Sequence, residues 1–484
     1  MFFRQIFEDG LAQASYVVGS PDAERALVID PRRDIDVYLD IAREHDLTIT
    51  DVTETHIHAD YLSGSRELAA KTGAALHLSA EGGPDWLYRE PAGDRVRLLH
   101  DGDVLQIGEI RVDVLHVPGH TPEHLMFLLT DGAHAKRPMI ALTGDFVFVG
   151  DLGRPDLLEQ ALGKTGSATL GARAMFASLR DKFSAIPDHV QLWPAHGAGS
   201  ACGKALGAVP ASTAGYERIT AWWQPYVERG DVEGFTRELL ADQVDAPAYF
   251  ARMKRLNRDG APLLRTLPQP SPLDAAGLRA AVDSGALVID ARPKERFQSG
   301  HIEGAISIPD ESSFTTRAGW FVPDDAAIVL VAPADRVDGL VRGLVRVGLD
   351  RIAGYVDADD TATLRSRKQA PLESISAAAA HEEWQRGSAI VLDVRNALEH
   401  RAGHIPGALL VPASRLVSRL DDVPRDARLL VHCAGGGRSN SAASVLAARG
   451  YRKVADVAGG FGAWREAGNP VETGDVESPA AAHG

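Results

Sequence analysis

Cysteine is nearly absent: the 484 residues hold two, Cys202 and Cys433. That excludes a disulfide framework and leaves each thiol to be judged on its own chemistry. An excess of basic residues is missing too, with 51 Lys and Arg against 66 Asp and Glu, a net charge of -15 and a pI near 5.6. A phosphate-binding footprint needs clustered Lys and Arg, so neither nucleic acid nor an anionic membrane is expected as a partner. A small anionic substrate needs only a local basic patch. No stretch approaches the roughly eighteen apolar residues of a membrane span. The opening MFFRQIFEDGLAQASYVVGS lacks the charged and apolar regions of a secretory signal, so the protein is expected to be cytoplasmic.

The length favours two to four domains over one core. From residue 14 short apolar runs (SYVVGS, ALVIDP, ALHLS, VDVLHVPGH, MIALTGD) alternate with helical pattern, and polar clusters stand at the ends of the runs. Residues 213 to 260 turn helical, and APLLRTLPQPSPLD then breaks any helix with its four prolines, which places a boundary near residue 265. Beyond it lies an internal repeat. ALVIDARPKERFQSGHIEGAISIP (286–309) aligns without gaps on AIVLDVRNALEHRAGHIPGALLVP (389–412), matching Asp290 to Asp393, Arg292 to Arg395, His301 to His404 and Gly304 to Gly407. Two similar α/β domains of about 100 residues fit this period.

Polar clusters carry the chemistry. In ETHIHADYLSG, His56, His58 and Asp60 alternate, so an extended segment aims them from one face. A binuclear metal site would want another histidine next, where the chain has Tyr61. PGHTPEH adds His120 and His124, TGDFVFVGDLGRPD adds Asp145 and Arg154, and PAHG adds His196. In this order the clusters resemble those of the metallo-β-lactamase fold, an αββα sandwich, over residues 1 to about 250. GRPD after Asp145 is similar to a segment of that family's persulfide dioxygenase branch. The resemblance implies one Fe(II) held by His56, His120 and Asp145. Two imidazoles and a carboxylate leave open positions for O2 and substrate, the facial-triad arrangement of non-haem iron. On this reading His58, Asp60, Tyr61 and His196 surround and orient the ligands, His124 is undecided, and Arg154 grips a carboxylate of a thiol carrier.

The second constellation is LLVHCAGGGRSNSAASVLAARG. Cys433 follows an apolar strand and precedes a helix, and Gly435, Gly436 and Gly437 can turn backbone N–H groups toward the sulfur, which favours thiolate. The loop, with LDVR and GHIPGA upstream, resembles that of rhodanese sulfurtransferases. The resemblance implies a persulfide on Cys433, with Arg438 assisting anionic donors or acceptors and Ser439 and the glycines contacting substrate. In the other copy the equivalent segment IVLVAPADRVDGLVRG has Ala332 or a neighbour in place of cysteine, and Pro333 lacks an N–H. That copy is expected to be catalytically silent. Cys202, in PAHGAGSACGKALG, falls near the mouth of the iron site, as a sulfur relay or as a small packed hydrophobe.

The expected architecture is a sandwich domain over 1–264, a silent rhodanese-like domain over 265–365, an active one over 374–475 and a flexible tail over 476–484. The expected activity oxidises a low-molecular-weight thiol persulfide with O2 to sulfite, and Cys433 then converts sulfite to thiosulfate. Homo-oligomerisation stays open. The rivals are a zinc thioesterase of the glyoxalase type and a non-catalytic sulfide sensor or sulfur carrier.

Overall fold

The structure, a computed structural model, describes residues 1–89, 95–157, 159, 166–204 and 206–474. The expected tail over 476–484 lies outside them. The chain forms two compact units, Met1–Leu267 with Val345–Gly348, and Pro268–Leu344 with the segment from Leu349 onward.

The first unit holds two six-stranded sheets. One is ordered β1 (Phe2–Glu8), β2 (Gln13–Ser20), β3 (Arg25–Ile29), β4 (Thr48–Thr53), β5 (Ala75–Ser79) and β6 (Val96–Leu99). The other runs from β7 (Val104–Ile107) through β8 (Ile110–His116), β9 (Leu125–Asp131), β10 (Ile140–Gly144) and β11 (Gln191–Pro194) to β12 (Ser212–Thr213).

Strand periodicity sorts the apolar side chains into layers. Tyr16, Val18, Leu27 and Ile29 face Phe127, Leu129, Ile140 and Leu142 between the sheets. Their neighbours Val17, Ala26 and Val28 pack outward with Tyr38 and Ile41 of the helix Asp36–Glu44. On the far side Met126, Ala141 and Leu192 pack with Met175, Phe176 and Leu179 of the helix Ser167–Asp181. Each such side chain contributes about 1.5–3 kcal/mol by leaving water. The result is the expected αββα sandwich. The helical stretch that follows is built from Ala214–Thr220, Gln224–Arg229, Val232–Leu240 and Phe250–Asp259. Thr213 and Asp231 cap two of these, accepting from the N–H groups of Tyr216 and Gly234.

The second unit contains both copies of the repeat. In the first, strands Leu287–Asp290, Ile306–Ser307, Ile328–Ala332 and Ile352–Asp357 form a four-stranded parallel sheet. In the second, Glu373–Ile375, Ile390–Asp393, Leu409–Leu410, Leu429–His432 and Val454–Val457 form a five-stranded one. The repeated Asp-x-Arg is a clamp in both. Arg292 Nη2 donates to Asp290 Oδ2 at 2.6 Å and to the Gly300 carbonyl at 3.0 Å. Arg395 Nη2 donates to Asp393 Oδ2 at 2.6 Å and to the Gly403 carbonyl at 2.8 Å. Strand register pairs Asp290 with Val331 and Asp393 with His432, which sets Ala332 at the position of Cys433. Among the described residues no helix is long and apolar enough to cross a membrane.

Candidate metal centre and cysteine loop

Strand ends bring the metal clusters to one edge of the sandwich. His56 follows β4, His120 lies between β8 and β9, Asp145 follows β10, and His196 follows β11, which runs parallel to β10. His56, His120 and Asp145 are buried, and one ligand atom from each lies within 4.8 Å of the others. His120 Nε2 is 3.5 Å from Asp145 Oδ2, and His56 Nε2 is 3.8 Å from it. These separations exceed a hydrogen bond but suit donors placed about 2.1 Å from a shared cation. Both Asp145 oxygens are buried and accept no hydrogen bond from nitrogen or oxygen among the described residues, with the Cys202 thiol beside them. Burial pushes the Asp145 carboxyl up to about 6, with His196 opposing and Asp60 adding. Burial, helped by the neighbouring histidines, holds His56 well below its ordinary value, so it is a neutral imidazole suited to ligation. The donor set therefore fits a metal ion.

The groups behind it set its orientation. Asp30 adopts a left-handed φ of 53° at the end of β3 and accepts from Thr55 N at 2.7 Å, Thr55 Oγ1 at 2.8 Å and His58 Nε2 at 3.0 Å. Because the Thr55 hydroxyl donates to Asp30, its oxygen is left to accept from His56 Nδ1 at 2.9 Å. That fixes the tautomer whose Nε2 lone pair faces Asp145. His124 also finds a role: its Nε2 accepts the Asp145 N–H at 2.9 Å. Gly144, at φ 54°, permits this, since a methyl there would sit 2.6 Å from His124 Nε2. The helix Phe250–Asp259 holds the motif loop, with Asn257 Nδ2 donating to the His58 and Tyr61 carbonyls at 2.8 Å each.

The surrounding residues hold the trio from several sides. His58 donates to Asp30, and its ring packs 4.3 Å from that of His56. Burial lowers its pKa, yet Asp30 outweighs this and, with Glu54 and Asp60, carries it up to about 9. The Tyr61 hydroxyl donates to the Asp30 carbonyl at 3.1 Å, and its ring packs 4.6 Å from that of His58. Asp60 and His196 join Cys202 in a second buried donor trio, and His196 Nε2 lies 3.6 Å from Asp60 Oδ2 and 3.5 Å from Asp145 Oδ1. Burial pushes the Cys202 thiol well up, with Asp60 and Asp145 adding. Arg154 corrects the expectation of a carboxylate grip. It is 1% exposed, and its guanidinium is occupied by Asp156 and by the carbonyls of Ala201 and Val244. It braces the segment carrying Cys202.

Sequence reasoning passed over Asp30 and Lys254. Lys254 is 4% exposed and its Nζ makes no hydrogen bond among the described residues. Burial draws its pKa down to about 8, against Glu123, Cys202 and Asp145. The only sequence signal was its place within PAYFARMKRLNRDG.

In the second unit Cys433 ends the strand Leu429–His432, and the Gly436 N–H donates to its Sγ at 3.1 Å. One expectation changes here. Ser439 is fully buried and donates to Asp456 Oδ1 at 2.6 Å, so its hydroxyl supports the loop from beneath. Arg438 makes two bonds to Glu399, at 2.7 and 2.6 Å, and also interacts with Cys433.

Comparison with known proteins places these features. The metallo-beta-lactamase superfamily model matches residues 9–185, and the rhodanese-like domain model matches residues 274–343 and 376–467. A crystal structure of a metallo-beta-lactamase from Staphylococcus aureus subsp. aureus COL is 39% identical, with a TM-score of 0.65, and covers 74% of this chain and 99% of that one. The mitochondrial persulfide dioxygenase of Bos taurus is 26% identical over 204 residues, 40% of this chain and 68% of that protein. The hydroxyacylglutathione hydrolase of Maricaulis maris is 28% identical over 187 residues, 37% of this chain and 60% of that protein.

Proposed function

The chain belongs to the metallo-beta-lactamase superfamily and carries two rhodanese-like domains later in its sequence, and from that premise we propose that it is a persulfide dioxygenase coupled to a sulfurtransferase. The carrying observation is the buried trio of two imidazoles and one carboxylate whose ligand atoms lie within 4.8 Å of one another. Its similarity to a named persulfide dioxygenase points the same way. One Fe(II) held by His56, His120 and Asp145 would supply adjacent open positions for O2 and a persulfide sulfur. The protein contributes orientation through Asp30, Thr55 and His124. Lys254 contributes a buried cation for an anionic substrate.

The overall reaction takes RSSH, O2 and H2O to RSH and sulfurous acid, present as sulfite. Sulfite then takes the outer sulfur of a Cys433 persulfide to give thiosulfate. A cytoplasmic setting suits two unpaired thiols.

A second reading has one specific observation behind it. The trio of Asp60, His196 and Cys202 beside the first offers donors for a second ion, as a thioester hydrolase would need, and a hydroxyacylglutathione hydrolase is among the relatives. Anaerobic iron loading followed by oxygen uptake across a panel of thiol persulfides separates the two. One iron per chain and one sulfite per O2, recovered as sulfite plus thiosulfate, are expected. Two metal ions with thioester hydrolysis and no oxygen uptake would overturn the proposal. In the same assay Cys433→Ser should consume O2 but release sulfite in place of thiosulfate, because serine holds no sulfane sulfur.

A further inference from the structure

The copy that lacks a cysteine is pressed against the loop of the copy that has one. From the helix Lys294–Ser299, Gln298 Nε2 donates to Asn440 Oδ1 at 3.0 Å and to Asp456 Oδ2 at 3.2 Å. Asn440 Nδ2 in turn donates to Ser307 Oγ at 2.8 Å, and Ser307 N donates to Ser444 Oγ at 2.8 Å. This network seats the cysteine-free domain on the helix Gly437–Ala448.

Two cations come with it. A methyl group on Gly437 would lie 3.0 Å from Arg317 Nη2, and one on Gly436 would lie 3.2 Å from Lys294 Nζ. Both therefore stand close against the glycines of the Cys433 loop, one of which, Gly436, donates its N–H to the sulfur. Arg317 is 7% exposed, and its Nε makes no hydrogen bond among the described residues. Its Nη1 forms an ion pair with Glu311 Oε2 at 3.4 Å, on a largely exposed side chain. Burial lowers the Arg317 pKa, while Glu311 and Cys433 oppose and Arg438 adds. Lys294 shares its field with Asp456. A buried guanidinium whose Nε has no partner among the described residues, beside a nucleophilic sulfur, can take an anion, and Arg438, held by Glu399, reaches the same sulfur.

We propose that Arg317 and Lys294 bind the sulfonate oxygens of sulfite and thiosulfate at Cys433, so that the cysteine-free domain supplies half of the sulfurtransferase site. This rests on the reading of Cys433 as a sulfur carrier. In the step, the sulfite sulfur lone pair attacks the outer sulfur of the Cys433 persulfide and a new S–S bond forms. The inner S–S bond breaks and its electron pair returns to Sγ, where the Gly436 N–H already donates. No proton moves and total charge is conserved. Two anions must meet, and two fixed cations lower that repulsion.

The test uses the full chain with thiosulfate as donor and cyanide as acceptor, which does not involve the metal centre. Arg317→Ala should raise KM for thiosulfate by about 10- to 100-fold, the loss expected of a charge-assisted contact, and Arg317→Lys should recover part of it. Lys294→Ala, at a half-buried position, should raise KM by a smaller factor. Release of sulfur from a preformed Cys433 persulfide to cyanide, which carries no sulfonate, should change much less in each variant. Unfolding midpoints monitor the fold. KM values within twofold of wild type for all three variants would overturn the inference while leaving Cys433 as the carrier. So would KM and the cyanide step failing together, which would mark a structural role. A wild-type chain that takes no sulfur from thiosulfate would overturn both.

Discussion

Replacing Asp30 with asparagine tests whether the metal centre is set by the groups behind it. The change keeps shape and removes one charge. Asp30 accepts three hydrogen bonds, from Thr55 N, Thr55 Oγ1 and His58 Nε2. Asparagine has one oxygen, which can keep the Thr55 N–H, and its NH2 then faces the Thr55 hydroxyl. That hydroxyl already accepts from His56 Nδ1, so two donors would converge on one oxygen while its own hydrogen loses its acceptor. The tautomer of His56 is no longer enforced, and His58 loses the anion that keeps it protonated. Disrupting such a partner costs roughly 10- to 100-fold in metal affinity, about 1.4–2.7 kcal/mol. The assay is competition for Fe(II) against a chelator of known affinity under anaerobic conditions, with unfolding midpoints of the metal-free chains alongside. Thr55→Val, which removes the same relay without touching the charge, should fall between wild type and Asp30→Asn. Wild-type affinity in Asp30→Asn, within twofold, would refute the reasoning and make Asp30 a loop-packing residue.

Lys254→Met removes a buried ammonium that lies over the Trp86 ring without a hydrogen bond among the described residues, and should raise KM for an anionic persulfide about tenfold; an unchanged KM would dismiss it as a substrate contact. Arg154→Ala strands Asp156 and two carbonyls and should cost about 3–5 kcal/mol in a denaturant titration; a loss of substrate affinity at unchanged stability would restore its role as a carboxylate grip. Asp456 is raised by burial from 3.8 to about 6, so its contribution to stability is full below pH 3.8 and is lost as pH rises through 6. Asp456→Asn should therefore gain stability over wild type at pH 7.5, by at most about 3 kcal/mol, and lose that advantage near pH 4; melting curves at the two pH values decide it.

The layered fold was legible because its evidence is periodic: apolar runs alternating with helical pattern, and a gapless repeat of Asp-x-Arg and Gly-His. His56, His120 and Asp145 could be picked out because their residue types are rare together, and the structure does bring them to one point. What stayed hidden is who occupies whom. Arg154 stands next to a metal motif, which suggested a substrate contact, yet its carbonyl partners at Ala201 and Val244 are 47 and 90 residues away. Ser439 sits in the cysteine loop by number, but its hydroxyl points under the loop to Asp456. Asp30 ends an ordinary apolar strand, and only the return of the chain past Thr55 and His58 reveals its function. Arg317 belongs to no motif at all, and only the packing of one copy on the other brings it beside Gly437.

The paired Asp-x-Arg clamps bear on how the chain reaches its fold. Each closes over two residues to the carboxylate and eight to the glycine carbonyl. Contacts this local form early, since closing a ten-residue loop takes roughly 10–100 ns. Both copies can therefore nucleate the same substructure independently while later segments are still being made. Two matching nuclei in one chain carry a hazard, because a strand from one copy can pair into the sheet of the other. The segment after the third strand breaks the likeness: Pro333 opens a short 3-10 turn in one copy, where the other places its glycine loop and the helix Gly437–Ala448. Loss of the cysteine loop in the first copy thus gives the folding chain a mark by which the twins are told apart.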